Sequence, residues 1–360
     1  MGLEFRKLDP AREIREQRAL FRECFPENNG TPVETEDHYF WKFHSKDPAV
    51  SSPEFGAYSG NELIGYYAAI PFTYRMDGKP LKAAMVCDVM TGEKARGKGV
   101  FTKLGIYSTG EFAKQGFDFS TGFPIRPEVI PGHLKAGWED CFPLPMYGRF
   151  IRFDAFLKTR KKSFLRPIAN AMLFFFDQVI RFSSPGIPGG FSVECHSSAC
   201  LQEIRGLDAF FKKWENECPV TLEKNVAYLD WRLRAPGKSY RIVVLRHKDD
   251  IAGYAVCRPV VKEGVPCLGV LDVILLRSYY RYSALLFNEI FRLGKQEKAE
   301  LALIMINNRW YREYRMRRAG FLKTPFTFRF IMKRFNRDLP AGILKNSENW
   351  HLTWIDSDDL

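Results

Sequence analysis

The sequence predicts an α+β chain made of two tandem copies of one unit, each a mixed, mostly antiparallel sheet flanked by helices. Three observations carry this expectation. Four landmarks recur in the same order in the two halves, segments of period two alternate with segments of helical period, and a Ser-, Pro- and Gly-rich string lies between the halves.

The landmarks pair as follows. Tyr39-Phe40-Trp41-Lys42-Phe43 matches Tyr228-Leu229-Asp230-Trp231-Arg232, and Ile64-Gly65-Tyr66-Tyr67-Ala68 matches Ile251-Ala252-Gly253-Tyr254-Ala255. Val86-Cys87-Asp88-Val89 matches Val270-Leu271-Asp272-Val273, and Leu134-Lys135-Ala136-Gly137-Trp138 matches Arg317-Arg318-Ala319-Gly320-Phe321. The offset drifts by a few residues, as it does when loops change length and elements do not. Trp41 and Trp231 read most simply as core anchors.

Within the first copy, Glu4 to Leu8 alternates as a strand does, and Ala11 to Phe25 has helical spacing. Phe55–Tyr58 and Ile64–Ile70 are strands joined by the turn Ser59-Gly60-Asn61-Glu62, a hairpin signal. Leu81–Met90 is a longer apolar strand, Gly99–Gln115 a helix, Gly116–Thr121 a strand and Glu128–Ala136 a short helix. Phe142–Phe153 supplies the last strands. This order is that of a mixed α+β layer. The division along the chain is then 1–150 for the first copy, 151–190 for a helical, Pro/Gly-containing linker, 191–335 for the second copy and 336–360 for a tail. Ser183-Ser184-Pro185-Gly186-Ile187-Pro188-Gly189-Gly190 closes the linker.

Composition sets limits. Of 360 residues 46% are hydrophobic and 27% charged, an ordinary globular balance. Eight cysteines form no C-x-x-C pair and no histidine cluster has metal spacing, so free thiols in a reducing, cytoplasmic setting are expected, with no metal. The start is charged at once, unlike a signal peptide. The net charge of +12 gathers in part at Lys158, Arg160, Lys161, Lys162 and Arg166, and at Arg312, Arg315, Arg317 and Arg318. Each cluster reads first as a solvated face, and no nucleic-acid signature accompanies them. The apolar run Pro167 to Phe176 is about half of the ~20 residues that span a bilayer. It reads as a core helix, with an interfacial helix the minor alternative.

The most informative stretch runs from Val89 to Leu104. A strand ends, a loop with Arg96, Gly97, Lys98 and Gly99 follows, and a helix begins. Such a loop aims backbone N–H groups at one place, and the helix N-terminus adds its positive end, which suits a pyrophosphate. This stretch resembles motif A of the GNAT acetyltransferases, Arg/Gln-x-x-Gly-x-Gly/Ala. Arg96 and Gly99 fit it, and Phe101 stands where the final Gly or Ala is usual. Gly137-Trp138 is similar to the Gly-Phe that closes motif B. The doubled landmarks also look like tandem-GNAT proteins of polysaccharide and amino-sugar metabolism.

The resemblance implies an N-acyltransferase that moves an acetyl group from acetyl-CoA, or another acyl-CoA, to a primary amine of a small molecule, an amino sugar among the candidates. Val89, Met90, Thr91, Arg96, Gly97, Lys98, Gly99, Val100, Phe101 and Thr102 would hold the co-substrate. A family Tyr that serves as the acid falls here on His133, which is either that acid or a pocket residue with no proton role. Asp88 is either a general base or a structural acid, and its repetition as Asp272 favours the second. In the second copy, Leu275 to Ala284 lacks glycine, so that copy is expected to support the first. A FemX-like aminoacyl or long-acyl transferase and a non-catalytic CoA-binding or scaffold protein are the alternatives. Neither nucleic acid nor a membrane surface is the expected partner.

Overall fold

The computed structural model of the chain describes residues 2–45, 51–182 and 189–358, with backbone alone for 179–182. Residues 183–188 of the linker string and 359–360 of the tail lie outside the described residues. The chain forms two compact units. Unit one holds Met1–Pro143, Arg234–Gly237 and Phe328–Asn346, and unit two holds Leu144–Leu233, Lys238–Thr327 and Ser347–Leu360.

Unit one begins with β1 (Leu3–Lys7), α1 (Pro10–Cys24) and α2 (Glu36–His44). The Tyr39–Phe43 landmark makes up most of α2, capped by Thr35, whose hydroxyl accepts from the His38 N–H at 3.2 Å. β2 (Glu54–Ser59), β3 (Glu62–Met76) and β4 (Lys79–Thr91) follow as an antiparallel meander. β3 continues past Ile70, where the sequence reading ended the strand, and runs through Pro71 to Met76. It ends at the turn Asp77-Gly78, both residues with positive φ, a two-residue turn that matches strand twist. Next come α3 (Val100–Lys114), β5 (Phe119–Gly122), α4 (Ile130–Lys135) and β6 (Glu139–Phe150).

α3 buries Val100, Leu104, Ser108 and Phe112, a stripe at every fourth residue, against Phe55, Ala57, Tyr67, Ala69, Ala84 and Val86 of the sheet. Trp138 and Ile331 close the same core. β4 and β5 run parallel, Ala83 opposite Phe119 and Val86 opposite Gly122.

After α5 (Ala155–Thr159) and α6 (Arg166–Phe182) the same order returns as β7 (Phe191–Ser197), α7 (Leu207–Glu215), a short β8 (Val220–Leu222), α8 (Val226–Arg232), β9 (Arg241–His247), β10 (Asp250–Lys262), β11 (Val265–Leu275), α9 (Ser283–Gln296), β12 (Leu301–Met305), α10 (Asn308–Glu313) and β13 (Leu322–Arg334). α11 (Ala341–Leu344) and β14 (Trp350–His351) end the chain's regular elements.

The likeness of the two halves extends to detail. The Tyr228–Trp231 landmark sits on α8, capped by Asn225, as its counterpart sits on α2. β11 and β12 are parallel, Cys267 opposite Leu301 and Val270 opposite Ile304. Gly137 and Gly320, both left-handed, end α4 and the turns after α10. Trp138 N–H donates to His133 O and Phe321 N–H to Met316 O, both at 3.1 Å.

The compact units do not coincide with the two stretches read as copies. Beside β5 in unit one lies the end of β13, Ile331 opposite Gly122 and Arg334 opposite Phe119. Beside β12 in unit two lies the end of β6, Leu301 opposite Phe150 and Met305 opposite Met146. Each unit thus takes its last strand from the end of the other stretch of sequence. No pattern of hydrophobicity in a strand names the sheet it will join, so the exchange is invisible to periodicity.

Candidate acyl-CoA site

The site in unit one begins with an irregular strand. Between Tyr66 and Ala68, β4 carries one extra residue, and Asp88 there has φ +47. A bulge of this kind bends a strand and breaks its ladder. Pairing of β4 with β5 stops at Val86 and β5 ends at Gly122, so the two strands part and the stretch from Asp88 to Thr91 has no partner on that side among the described strands.

The loop after β4 makes a single tight turn at Glu93–Ala95 and returns to α3 through Arg96 to Gly99. Gly97 and Gly99 have φ +73 and +74, a conformation that a side chain disfavours. A Cβ at Gly97 would meet nothing within 4 Å, and one at Gly99 only Lys103 at 3.9 Å, so the space before the loop is open. Gly99 caps α3 with no side-chain hydrogen bond, which leaves the N–H groups of Val100, Phe101 and Thr102 without intrahelical acceptors. The Arg96 N–H is not among the available donors, since it binds Glu93 O at 3.2 Å, and the Arg96 Nε folds back on Thr91 O at 3.2 Å.

A cavity of about 520 Å³ opens here. Of the residues expected to hold the co-substrate, all but Lys98 and Thr102 line it. Lys98 is exposed on the loop and Thr102 is half-buried on the first turn of α3. Sequence reasoning missed Cys24, Phe25, Arg126 and Glu128, which also line it. Cys24 ends α1 and donates weakly to Thr91 O at 3.5 Å, and burial pushes its thiol up. Arg126 stands over the Phe25 ring at 5.3 Å and pairs with Glu27. Nothing in their local sequence marks them, because α1 and the β5–α4 connection meet the loop only in the fold.

The two catalytic candidates stand in different surroundings. His133 on α4 is buried among Phe101 (5.0 Å between ring centres), Trp138 (5.2 Å) and Tyr67 (6.4 Å). Burial drops its pKa to about 4, and its Nδ1 is buried with no hydrogen-bond partner. It is therefore neutral at pH 7, and only Phe101 of its cage lines the cavity. Asp88 is bound by Lys42 Nζ at 2.8 Å. Burial pushes its carboxyl up, but Lys42 and Arg18 outweigh burial and hold it below the usual range.

Beside this pair lies a cluster that sequence reasoning did not find. Buried Glu54 accepts from Tyr39 OH at 2.6 Å and from Tyr66 OH, and its other oxygen is 3.0 Å from His44 Nε2. Burial and then the Glu54 charge push both tyrosine pKa values well up, so both stay protonated donors. Tyr66 is opposite Met90 in the β3–β4 register, which ties the cluster to the strand before the loop.

The corresponding place in unit two is filled. Beyond Val270, where pairing with β12 stops, Asp272 accepts from Lys224 Nζ, Tyr254 OH and Thr353 Oγ1, and His351 Nε2 meets Val273 O at 3.0 Å. Lys224 also reaches Asp356 at 3.2 Å, and Thr353 bridges to Ile306. Residues 350–356 thus cover in unit two the strand edge that is open in unit one. The loop from Arg277 to Tyr282, without glycine, turns directly into α9.

The model of the GNAT acetyltransferase domain matches residues 4–140. None of the curated proteins matches the sequence. Solved structures of similar fold include a probable N-acyltransferase from Enterococcus faecalis V583 (TM-score 0.64) and GCN5-related N-acetyltransferases from Anabaena variabilis (0.62) and Kribbella flavida (0.60). Each is 12% identical to this chain, and the likeness covers 93% of this chain and 73%, 73% and 71% of theirs, in that order. At such identity the likeness is one of fold, and it agrees with the α+β architecture expected from the sequence. Residues 4–140 thus match the model of a GNAT acetyltransferase domain, and the likeness of fold to the solved structures extends over most of the chain.

Proposed function

We propose that residues 89–102 hold the acyl-CoA and that unit one acylates a primary amine of a small molecule, an amino sugar being the class suggested by the sequence resemblance. The observation that carries this is the open N-terminus of α3. N–H groups without intrahelical acceptors and two left-handed glycines border a cavity, and a Cβ at Gly97 would meet nothing within 4 Å. Such donors suit a pyrophosphate, and the unpaired edge of β4 suits the amide-bearing pantetheine arm.

The attacking amine must be neutral, so a base is needed. We assign that duty to His44, oriented by buried Glu54, in preference to His133 and Asp88. His133 is sealed among aromatic rings, and Asp88 is held as a carboxylate by Lys42 and Arg18. His44 is partly exposed and has a carboxylate on one ring nitrogen, which leaves the other for a proton.

Calorimetry with coenzyme A tests the co-substrate assignment. One site per chain is expected, weakened about a hundredfold or more by Gly97→Val with Gly99→Val, since two charge-assisted donors are obstructed. Tyr280→Ala should leave it unchanged. A second equivalent site, or a site indifferent to both glycine changes, overturns the assignment. A panel of amino sugars, nucleotide-linked amino sugars and amino acids with acetyl-CoA identifies the acceptor.

A further inference from the structure

Helix α6 has its polarity inside out. Ile168, Ala171, Met172 and Phe175, at helical spacing, form one stripe, which Phe164 extends just before the helix. All of it faces solvent: Phe164 is 77% exposed, Ile168 62%, Met172 67% and Phe175 68%. The opposite face holds the polar residues and is tied to unit two. Asn170 Oδ1 accepts from Phe153 N–H at 2.8 Å, and Asp177 binds Arg149 and lies 3.7 Å from Lys295. Phe174 and Phe176 flank the stripe, both exposed. A helix of a globular protein ordinarily shows the reverse, and an apolar patch of this kind marks an interaction surface.

The charge beside the stripe identifies the partner. Lys158, Arg160, Lys161 and Lys162 are exposed immediately before it, and none has an acidic partner among the described residues. Arg166 is spent on Asp154 at 2.5 Å. A second copy of the chain would bring the same four cations to the contact, in a molecule of net charge +12. An anionic lipid surface satisfies both features, taking up the aromatic and aliphatic side chains at the headgroup boundary and the cations at its phosphates. No helix among the described residues is long and apolar enough to cross a bilayer.

We propose that the stripe from Phe164 to Phe175, with Lys158, Arg160, Lys161 and Lys162, docks the protein on anionic membrane. The test is co-sedimentation of the full chain with phosphatidylcholine vesicles, with and without phosphatidylglycerol. Binding is expected only with the anionic lipid and should weaken at high salt. Lys158→Ala with Lys161→Ala and Lys162→Ala should weaken it about a hundredfold, at roughly fivefold per cation. Ile168→Ser with Met172→Ser and Phe175→Ser should weaken it about tenfold or more. All six positions are exposed, so both triple variants should melt as the parent does and keep its coenzyme A affinity. Absence of binding to anionic vesicles, or binding that both variants retain, overturns the proposal. So does a dimer that the serine variant alone dissociates, which would assign the face to a second copy.

Discussion

Two buried histidines make stability depend on pH. Burial holds His133 near 4 and His351 near 3, against an unfolded value of about 6.5. For a histidine lowered by folding, the unfolded chain takes up the proton first. Stability is therefore complete above about 6.5 and falls with pH down to the folded values. Each should cost on the order of 2 kcal/mol between pH 7 and pH 5. Urea melts at the two values should show it, and His133→Phe should remove about half of the loss. Catalysis separates the candidates differently. His44→Ala should lower kcat on the order of a hundredfold with little change in KM, and added imidazole should restore part of it. His133→Phe should leave kcat within about threefold, since no proton role is assigned to it. A His44→Ala enzyme with parental kcat would reject the base proposed here. His133 could be located from the Gly137-Trp138 landmark, but not its environment. Phe101 and Tyr67, which seal it, come from other elements. Asp88 likewise shows in the sequence as an isolated acid in an apolar strand, while Lys42, the cation that holds it, is on α2. Lys42→Met would strand that carboxylate and should cost about 3 kcal/mol, read from chemical denaturation.

Elements were legible where local chemistry decides them. The α3 loop could be found because left-handed turns select glycine and a helix start leaves donors free, both properties of a few adjacent residues. The β2–β3 hairpin is legible in its turn Ser59-Gly60-Asn61-Glu62, but β3 runs beyond Ile70 to Met76, because whether a ladder continues past Pro71 is decided by the neighbouring strand. The tail was read only as a tail. Its role comes from partners far away in sequence: Trp310 Nε1 donates to Trp350 O at 2.6 Å, and Lys224 and Asp272 hold Asp356 and Thr353. Trp350 is fully buried, so Trp350→Ala should destabilise the protein by about 3–5 kcal/mol while coenzyme A affinity stays at the parental value. A loss of affinity equal to the loss of stability would show that the tail serves unit one as well.

At the scale of the whole molecule the decisive feature is that neither unit is contiguous. Unit one lacks a strand until Phe328–Asn346 arrives, and Met332, Lys333 and Arg334 pair directly with Thr121, Ser120 and Phe119. Lys333 Nζ further donates to Ala136 O at 2.7 Å and Thr109 Oγ1 at 2.8 Å. A fragment of residues 1–150 should therefore be aggregation-prone or molten, although it contains the whole loop proposed to hold acyl-CoA and the residues matched by the family model. Addition of a separate 320–358 peptide should not restore it to full affinity, because β6 also ends outside unit one. A fragment with cooperative melting and parental coenzyme A affinity would contradict this.

The borrowed strand also puts a clock on biosynthesis. A ribosome adding about 5–20 residues per second needs on the order of 10–40 s to travel from β5 to the strand that covers it. Through that interval the nascent chain carries a bare β-edge, the ordinary template for pairing with a stranger. Yield on dilution from denaturant should accordingly fall as protein concentration rises, and a holding chaperone present during that interval should recover it. Recovery that is independent of concentration would mean that the edge is shielded by some other route until its partner emerges.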